Sequence, residues 1–207
     1  MASKTLLMLL AALSLCVTLS GSADAQGLSV GYYGKACPKA EAIVFEEMTK
    51  IIKVAPSLAG PLLRMHFHDC FVRVGGCDGS VLLNSTTGNV AEKDARPNLS
   101  LRGYGVIDRV KAKLEKACPG VVSCADILAL VARDAVSKGS FWPVPTGRRD
   151  GVVSIANETK QLPPPTANIT TLISMFAAQG LSVKDLVVLS GNNIMISGTR
   201  KNSYLDF

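Results

Sequence analysis

Aromatic side chains are scarce, at 5% of 207 residues with a single Trp. That speaks against a surface built on base stacking. No block of Lys and Arg occurs: the 22 basic residues and the net charge of +6 are spread along the chain. A nucleic-acid arm is therefore not expected, although a mildly basic surface can attract acidic polymers or anionic membranes weakly. After the first 25 residues no apolar run is long enough to span a bilayer. No alternating run is long enough to build a sheet. Histidine is nearly absent, with two in the whole sequence. What remains is 48% hydrophobic and 18% charged, the balance of a globular chain with one real core.

The N-terminus has the pattern of an export signal. Lys4 supplies the positive start, residues 6–19 are almost wholly apolar, and Ala23-Asp24-Ala25 is a small-x-small cleavage signal. Residues 1–25 are thus expected to be removed, leaving Gln26 first and a secreted product. Cys16 goes with the leader, and Cys37, Cys70, Cys77, Cys118 and Cys124 remain. In an oxidising compartment these should pair, and an odd number leaves at least one without a partner in the chain. Asn84, Asn98, Asn157 and Asn168 each begin an Asn-x-Ser/Thr sequon, which also suits secretion.

The body reads as mainly α. Apolar periodicity after Pro38 predicts a helix over 37–54, and Ser57 can cap a second that runs to about residue 70. Gly60-Pro61 falls in its first turns, where a missing N–H costs least. A third helix is predicted over 103–118. Ser123-x-x-Asp126 is a capping box that opens the strongest, 124–137. Two more follow, over 170–180 and 182–190, the latter with a box at Ser182 and Asp185. Residues 139–166 hold five of the ten prolines and read as a long irregular loop.

Both histidines sit in Arg64-Met65-His66-Phe67-His68-Asp69-Cys70. On a helix His66 and His68 face apart, so they cannot chelate one zinc ion, and no further ligands are suitably spaced. Arg64 and His68 lie i, i+4 on one face. A neutral imidazole can take a proton while the guanidinium stabilises the anion that forms. Spacing alone leaves the ordinary alternative open: an exposed Arg beside a half-buried His with no role.

The surroundings point further. Arg64-x-x-Phe67-His68-Asp69-Cys70-Phe71-Val72 followed by Gly76-Cys77-Asp78-Gly79-Ser80 resembles the distal-haem segment of the secreted plant (class III) haem peroxidases. Tyr32-Tyr33, Glu92-Lys93-Asp94, Pro97-Asn98, Gly120-Val121-Val122-Ser123-Cys124-Ala125-Asp126, Gly147-Arg148-Arg149-Asp150 and Leu186-Val187-Val188-Leu189-Ser190-Gly191 match in order. The resemblance implies a partial helical peroxidase domain over 26–191, its distal half complete and its proximal half largely missing. It implies a monomer that uses haem b and calcium to reduce hydrogen peroxide and oxidise small phenolic donors, in response to oxidative stress. It implies no nucleic-acid or membrane partner, and an apoplast, cell-wall or vacuolar location. His68 matches the distal acid–base and Arg64 the residue that stabilises charge during O–O cleavage. Asn98 matches the residue that accepts the imidazole's other proton, Phe67 the aromatic beside the haem, and Pro163 a residue at the donor edge. Asn98 is thus expected to be an unused sequon. Asp69, Val72, Gly76, Asp78 and Ser80 match the distal calcium ligands, with Glu92 joined through water. The implied disulfides are Cys37–Cys118 and Cys70–Cys77, with Cys124 left over.

Two departures stand out. Three residues, Arg73-Val74-Gly75, lie where one usually separates Val from Gly-Cys. Asn193 stands where the resemblance requires the histidine that binds iron, and a neutral amide is a poor iron ligand. From 192 to 207 the sequence resembles nothing in the family, and that stretch is expected to be a foreign tail. The alternative to an active peroxidase is therefore a truncated, haem-free secreted fragment.

Overall fold

The computed structural model describes residues 27–137 and 142–197, with backbone alone for 191–197. The expected leader, Cys16, Gln26 and the end of the expected tail lie outside the described residues. Six α-helices carry the described chain: α1 (Ala40–Val54), α2 (Ala59–Phe71), α3 (Tyr104–Ala117), α4 (Cys124–Val136), α5 (Ile169–Ala178) and α6 (Val183–Ser197). Short 3₁₀ turns link them. Among the described residues extended pairing is limited to two isolated bridges, Ser29 with Thr146 and Thr86 with Asn89. The fold is mainly α, as the sequence pattern implies.

Local chemistry explains most boundaries. Cys37 and Pro38 lie in a turn before α1, with Cys37 N–H donating to Tyr33 O at 2.8 Å. The predicted start at 37 is therefore early. Ser57 does not cap α2; Pro56–Leu58 forms a 3₁₀ turn that runs straight into it, with no side-chain cap. Pro61 sits within the first turn, where its absent N–H has no intrahelical partner to lose. Gly103 precedes α3 with φ of 108°, and a Cβ there would lie 2.6 Å from Leu62 Cδ2. Ser123 Oγ accepts from Asp126 N at 3.1 Å, so half of that capping box forms. The other half does not, because the Asp126 carboxylate turns to Tyr33 Oη at 2.7 Å, Gly147 N at 2.7 Å and the Arg148 guanidinium at 3.0 Å. At Ser182 and Asp185 both halves form. α6 continues past residue 190, where its prediction stops, to Ser197.

α4 is buried on nearly every side and forms the axis of the larger core. Val44 and Met48 of α1, Leu62 and Met65 of α2, and Val110 and Leu114 of α3 pack around Ile127, Leu128, Leu130 and Val131. A smaller core joins Phe71 and Val72 to Leu162, Phe176 and Leu186. α2 thus belongs to both cores, and packing on two sides fixes its rotation. Cys37–Cys118 ties the chain before α1 to the end of α3, and Cys70–Cys77 closes the loop after α2. Cys124 is free and half-buried, as the odd count requires.

Candidate active site

α2 delivers Arg64 and His68 one turn apart on one face, and Arg64 Nε lies 3.1 Å from His68 Nε2. The 3₁₀ turn Arg96–Asn98 meets them from the other side. Asn98 is 1% exposed. Its Nδ2 donates to Glu92 O at 2.8 Å, which leaves Oδ1 to accept from His68 Nδ1 at 2.6 Å. That network assigns the imidazole proton to Nδ1 and the lone pair to Nε2. Arg64 is held at two further points, Nη1 donating to Ser100 Oγ at 3.0 Å and Nη2 to Pro97 O at 3.1 Å.

His68 is 5% exposed. Burial pushes its pKa down to about 4; the Asn98 hydrogen bond opposes this shift and the Arg64 charge adds to it. The ring is neutral at physiological pH, with its accepting nitrogen aimed at a guanidinium. A neutral base beside a fixed positive charge can take a proton and stabilise the anion left behind.

Phe67 connects this pair to an apolar cleft, its ring centroid 6.1 Å from that of His68. Phe67, Pro163, Leu172, Phe176, Leu186 and Leu189 line the cleft, a cavity of about 50 Å³ that is partly open to solvent. Pro163 therefore lies on the cleft wall.

The expected calcium residues gather in the loop after α2. Asp69 accepts from Gly79 N at 2.9 Å and Val81 N at 3.3 Å. Gly76 packs against the backbone so closely that a Cβ would lie 2.7 Å from Cys70 O. Val72, at the end of α2, is buried, as are Ser80 and Glu92. Asp78 Oδ1 accepts from Ser80 N at 3.0 Å. Burial pushes the Asp69 carboxyl up to about 7, and the charges of Asp78 and Glu92 act in the same direction. Sequence reasoning missed Arg73 as a member of this group. Its Nε and Nη2 bind Glu158 Oε2 at 2.8 and 2.5 Å, and its fork also faces Asp78 and Glu92. Nothing in the sequence signals a partner 85 positions away.

His66 sits elsewhere on α2, with Nδ1 3.6 Å from Cys70 Sγ. Burial lowers its pKa to about 4, with the Arg148 charge contributing. His66, Cys70 and Cys77 lie close enough to share a metal, but the two sulfurs are bonded to each other.

The family model described as "Peroxidase" matches residues 44–195. The chain belongs to the class III plant peroxidase family. It is 61% identical over 193 residues to Peroxidase 1 of Oryza sativa subsp. japonica, covering 92% of this chain and 57% of that protein. It is 60% identical over 173 residues to Peroxidase 30 of Arabidopsis thaliana, covering 82% of this chain and 51% of the relative. Peroxidase 3 of the same plant is 58% identical over 178 residues, covering 84% and 53% respectively. The chain spans about half the length of the curated relatives it matches. The family match runs to residue 195, and α6 runs on to Ser197. Haem and calcium are cofactors of peroxidases at the level of the family.

The buried amide of Asn98 has a consequence for its sequon. A glycan would be attached to Nδ2, the atom that donates to Glu92 O. Asn84, Asn157 and Asn168 are exposed. Glycopeptide mass spectrometry of secreted protein is expected to find Asn98 unmodified under all conditions. An occupied Asn98 in folded protein would contradict the site geometry.

Proposed function

We propose that this chain carries the peroxide-side site of a haem peroxidase, with the base and the charge assembled and Asn193 at the position where the resemblance expects the iron-binding histidine. The observation that carries this reading is the triad Arg64–His68–Asn98, with its single accepting nitrogen, joined through Phe67 to an apolar cleft.

The residues fit one face of a haem. Phe67 and the Pro163 side of the cleft offer the apolar wall that a flat macrocycle needs. They do not fit the other face. The sequence holds two histidines; His68 is committed to Arg64 and Asn98, and His66 lies beside the Cys70–Cys77 sulfurs. Position 193 is Asn, whose neutral amide is a weak donor to iron. No step through haem is therefore assigned to this chain.

What the residues can do with hydrogen peroxide is narrower. The peroxide displaces the Arg64 Nε contact and presents its O–H to His68 Nε2. His68 accepts the proton there, because Nδ1 keeps its own proton on Asn98. Arg64 then faces the hydroperoxide anion across the space it vacated, still anchored by Ser100 and Pro97.

Family membership makes peroxidase the biochemical identity. Oxidation of phenolic donors in the secretory or extracellular space, in response to oxidative stress, is the role we infer for the intact relatives' architecture. For this chain the reading is a secreted protein that binds haem poorly. Guaiacol turnover with added haem and hydrogen peroxide is expected to stay at the rate of free haem. Turnover well above that rate, and lost in His68→Leu, would show that the chain is itself a working peroxidase.

A further inference from the structure

The acidic loop expected to hold calcium already faces a cation of its own. Arg73 binds Glu158 through two nitrogens, and Nη2 also donates to Val153 O at 3.0 Å. Its Nη1 lies 3.5 Å from Asp78 Oδ2, and Nη2 lies 3.6 Å from Glu92 Oε1. One guanidinium therefore faces three carboxylates at once, and Glu92 among them is wholly buried. The oxygens that a metal would need are also partly spoken for. Both Asp69 oxygens accept backbone N–H groups, and Asp78 Oδ1 accepts Ser80 N. Calcium takes six to eight oxygen ligands at about 2.3–2.6 Å. At 3.5 Å from Asp78 Oδ2 the guanidinium makes an ion pair rather than a hydrogen bond, and its charge repels a divalent ion placed at that oxygen.

Residues 73–75 form the longer link between Val72 and Gly76. Gly76 N donates to Arg73 O at 2.9 Å, closing that link as a turn, while Gly75 adopts φ of 80°. The turn lets the Arg73 side chain reach the segment carrying Val153 and Glu158 while Cys77 stays bonded to Cys70. We propose that Arg73 is the resident cation of this loop, balancing Asp78, Glu92 and Glu158 and holding the loop closed without a divalent metal. The proposal is independent of haem, and its test does not use activity.

The experiment is a calcium titration by calorimetry on the full chain, paired with thermal melts in EDTA and in excess calcium. The wild type is expected to show no stoichiometric calcium uptake and the same melting midpoint in both buffers. Arg73→Gln removes the charge and should create a calcium requirement. Its midpoint should rise by roughly 5–10 °C when calcium exceeds its dissociation constant about a hundredfold. Stoichiometric calcium binding by the wild type with a comparable rise would overturn the proposal. So would an Arg73→Gln protein that melts cooperatively and ignores calcium. If Arg73→Gln shows no cooperative melt in either buffer, Glu158→Gln decides, since it releases the guanidinium from its firmest anchor. A calcium response in Glu158→Gln supports the assignment, and its absence overturns it.

Discussion

Asn98→Leu is expected to lower the unfolding free energy by about 2–5 kcal/mol, the sum of two buried polar groups left unpaired. The substitution is close in volume, so packing changes little. It removes the acceptor for His68 Nδ1 and the donor to Glu92 O at one stroke. Neither group can turn to water, since His68 is 5% exposed and Glu92 is wholly buried. Urea unfolding checks the magnitude. Asn84→Leu is the control: Asn84 is exposed and accepts from Lys93 Nζ at 2.9 Å, so its loss should stay within about 0.5 kcal/mol. A second readout separates positioning from mere support. In the wild type, ¹⁵N shifts of the imidazole should report the Nδ1–H tautomer, and in Asn98→Leu that tautomer should lose its preference. An unchanged tautomer would show that Asn98 does not orient the ring.

The second large effect concerns the Cys37–Cys118 bond, whose partners are 81 positions apart. Closing a loop of that length restricts the unfolded chain by about 4–5 kcal/mol in the chain-entropy model. Domains of this kind are stable by about 5–15 kcal/mol in all. The double substitution Cys37→Ala with Cys118→Ala should therefore remove a large share of the stability and leave the chain largely unfolded at 37 °C. The matching change at Cys70 and Cys77, seven positions apart, should cost about 2–3 kcal/mol. Denaturant melts of the two double variants test the order. Equal losses would mean that residual structure in the unfolded chain, rather than loop length, sets the effect.

Local pattern made much of this architecture legible, and long-range contacts account for what it missed. The apolar spacing of Val106, Val110 and Leu114 marks α3, and all three are buried. The Ser182–Asp185 box forms as written, with the Asp185 carboxylate accepting from Ser182 N and Oγ and Ser182 Oγ accepting from Asp185 N. The Ser123–Asp126 box forms by half, since Tyr33 and Arg148 claim the same carboxylate from distant parts of the chain. Ser57 fails as a cap because Pro56 starts a turn that absorbs it. At the site, the i, i+4 spacing of Arg64 and His68 is readable from the sequence and leaves the role open. Asn98 stands 30 positions from His68, so only the family resemblance linked them. Arg73 was visible as part of an unusual insertion, but its grip on Glu158 depends on how the 142–166 loop returns to α2.

The same geometry explains why half of a site can be well formed. Arg64 and His68 are carried by α2, which packs against α4 in the larger core, and Asn98 by the turn at 96–98. The cleft wall of Phe67, Leu172, Phe176 and Leu189 is apolar and should attract a flat hydrophobic molecule weakly. Weak apolar contact is not iron ligation, and that distinction is open to direct observation.

The decisive measurement is an absorbance titration of the purified chain with ferric haem. The account predicts no stoichiometric Soret band and a spectrum close to that of free haem with protein added. A sharp Soret band saturating at one haem per chain, with the signature of an imidazole on the iron, would contradict it.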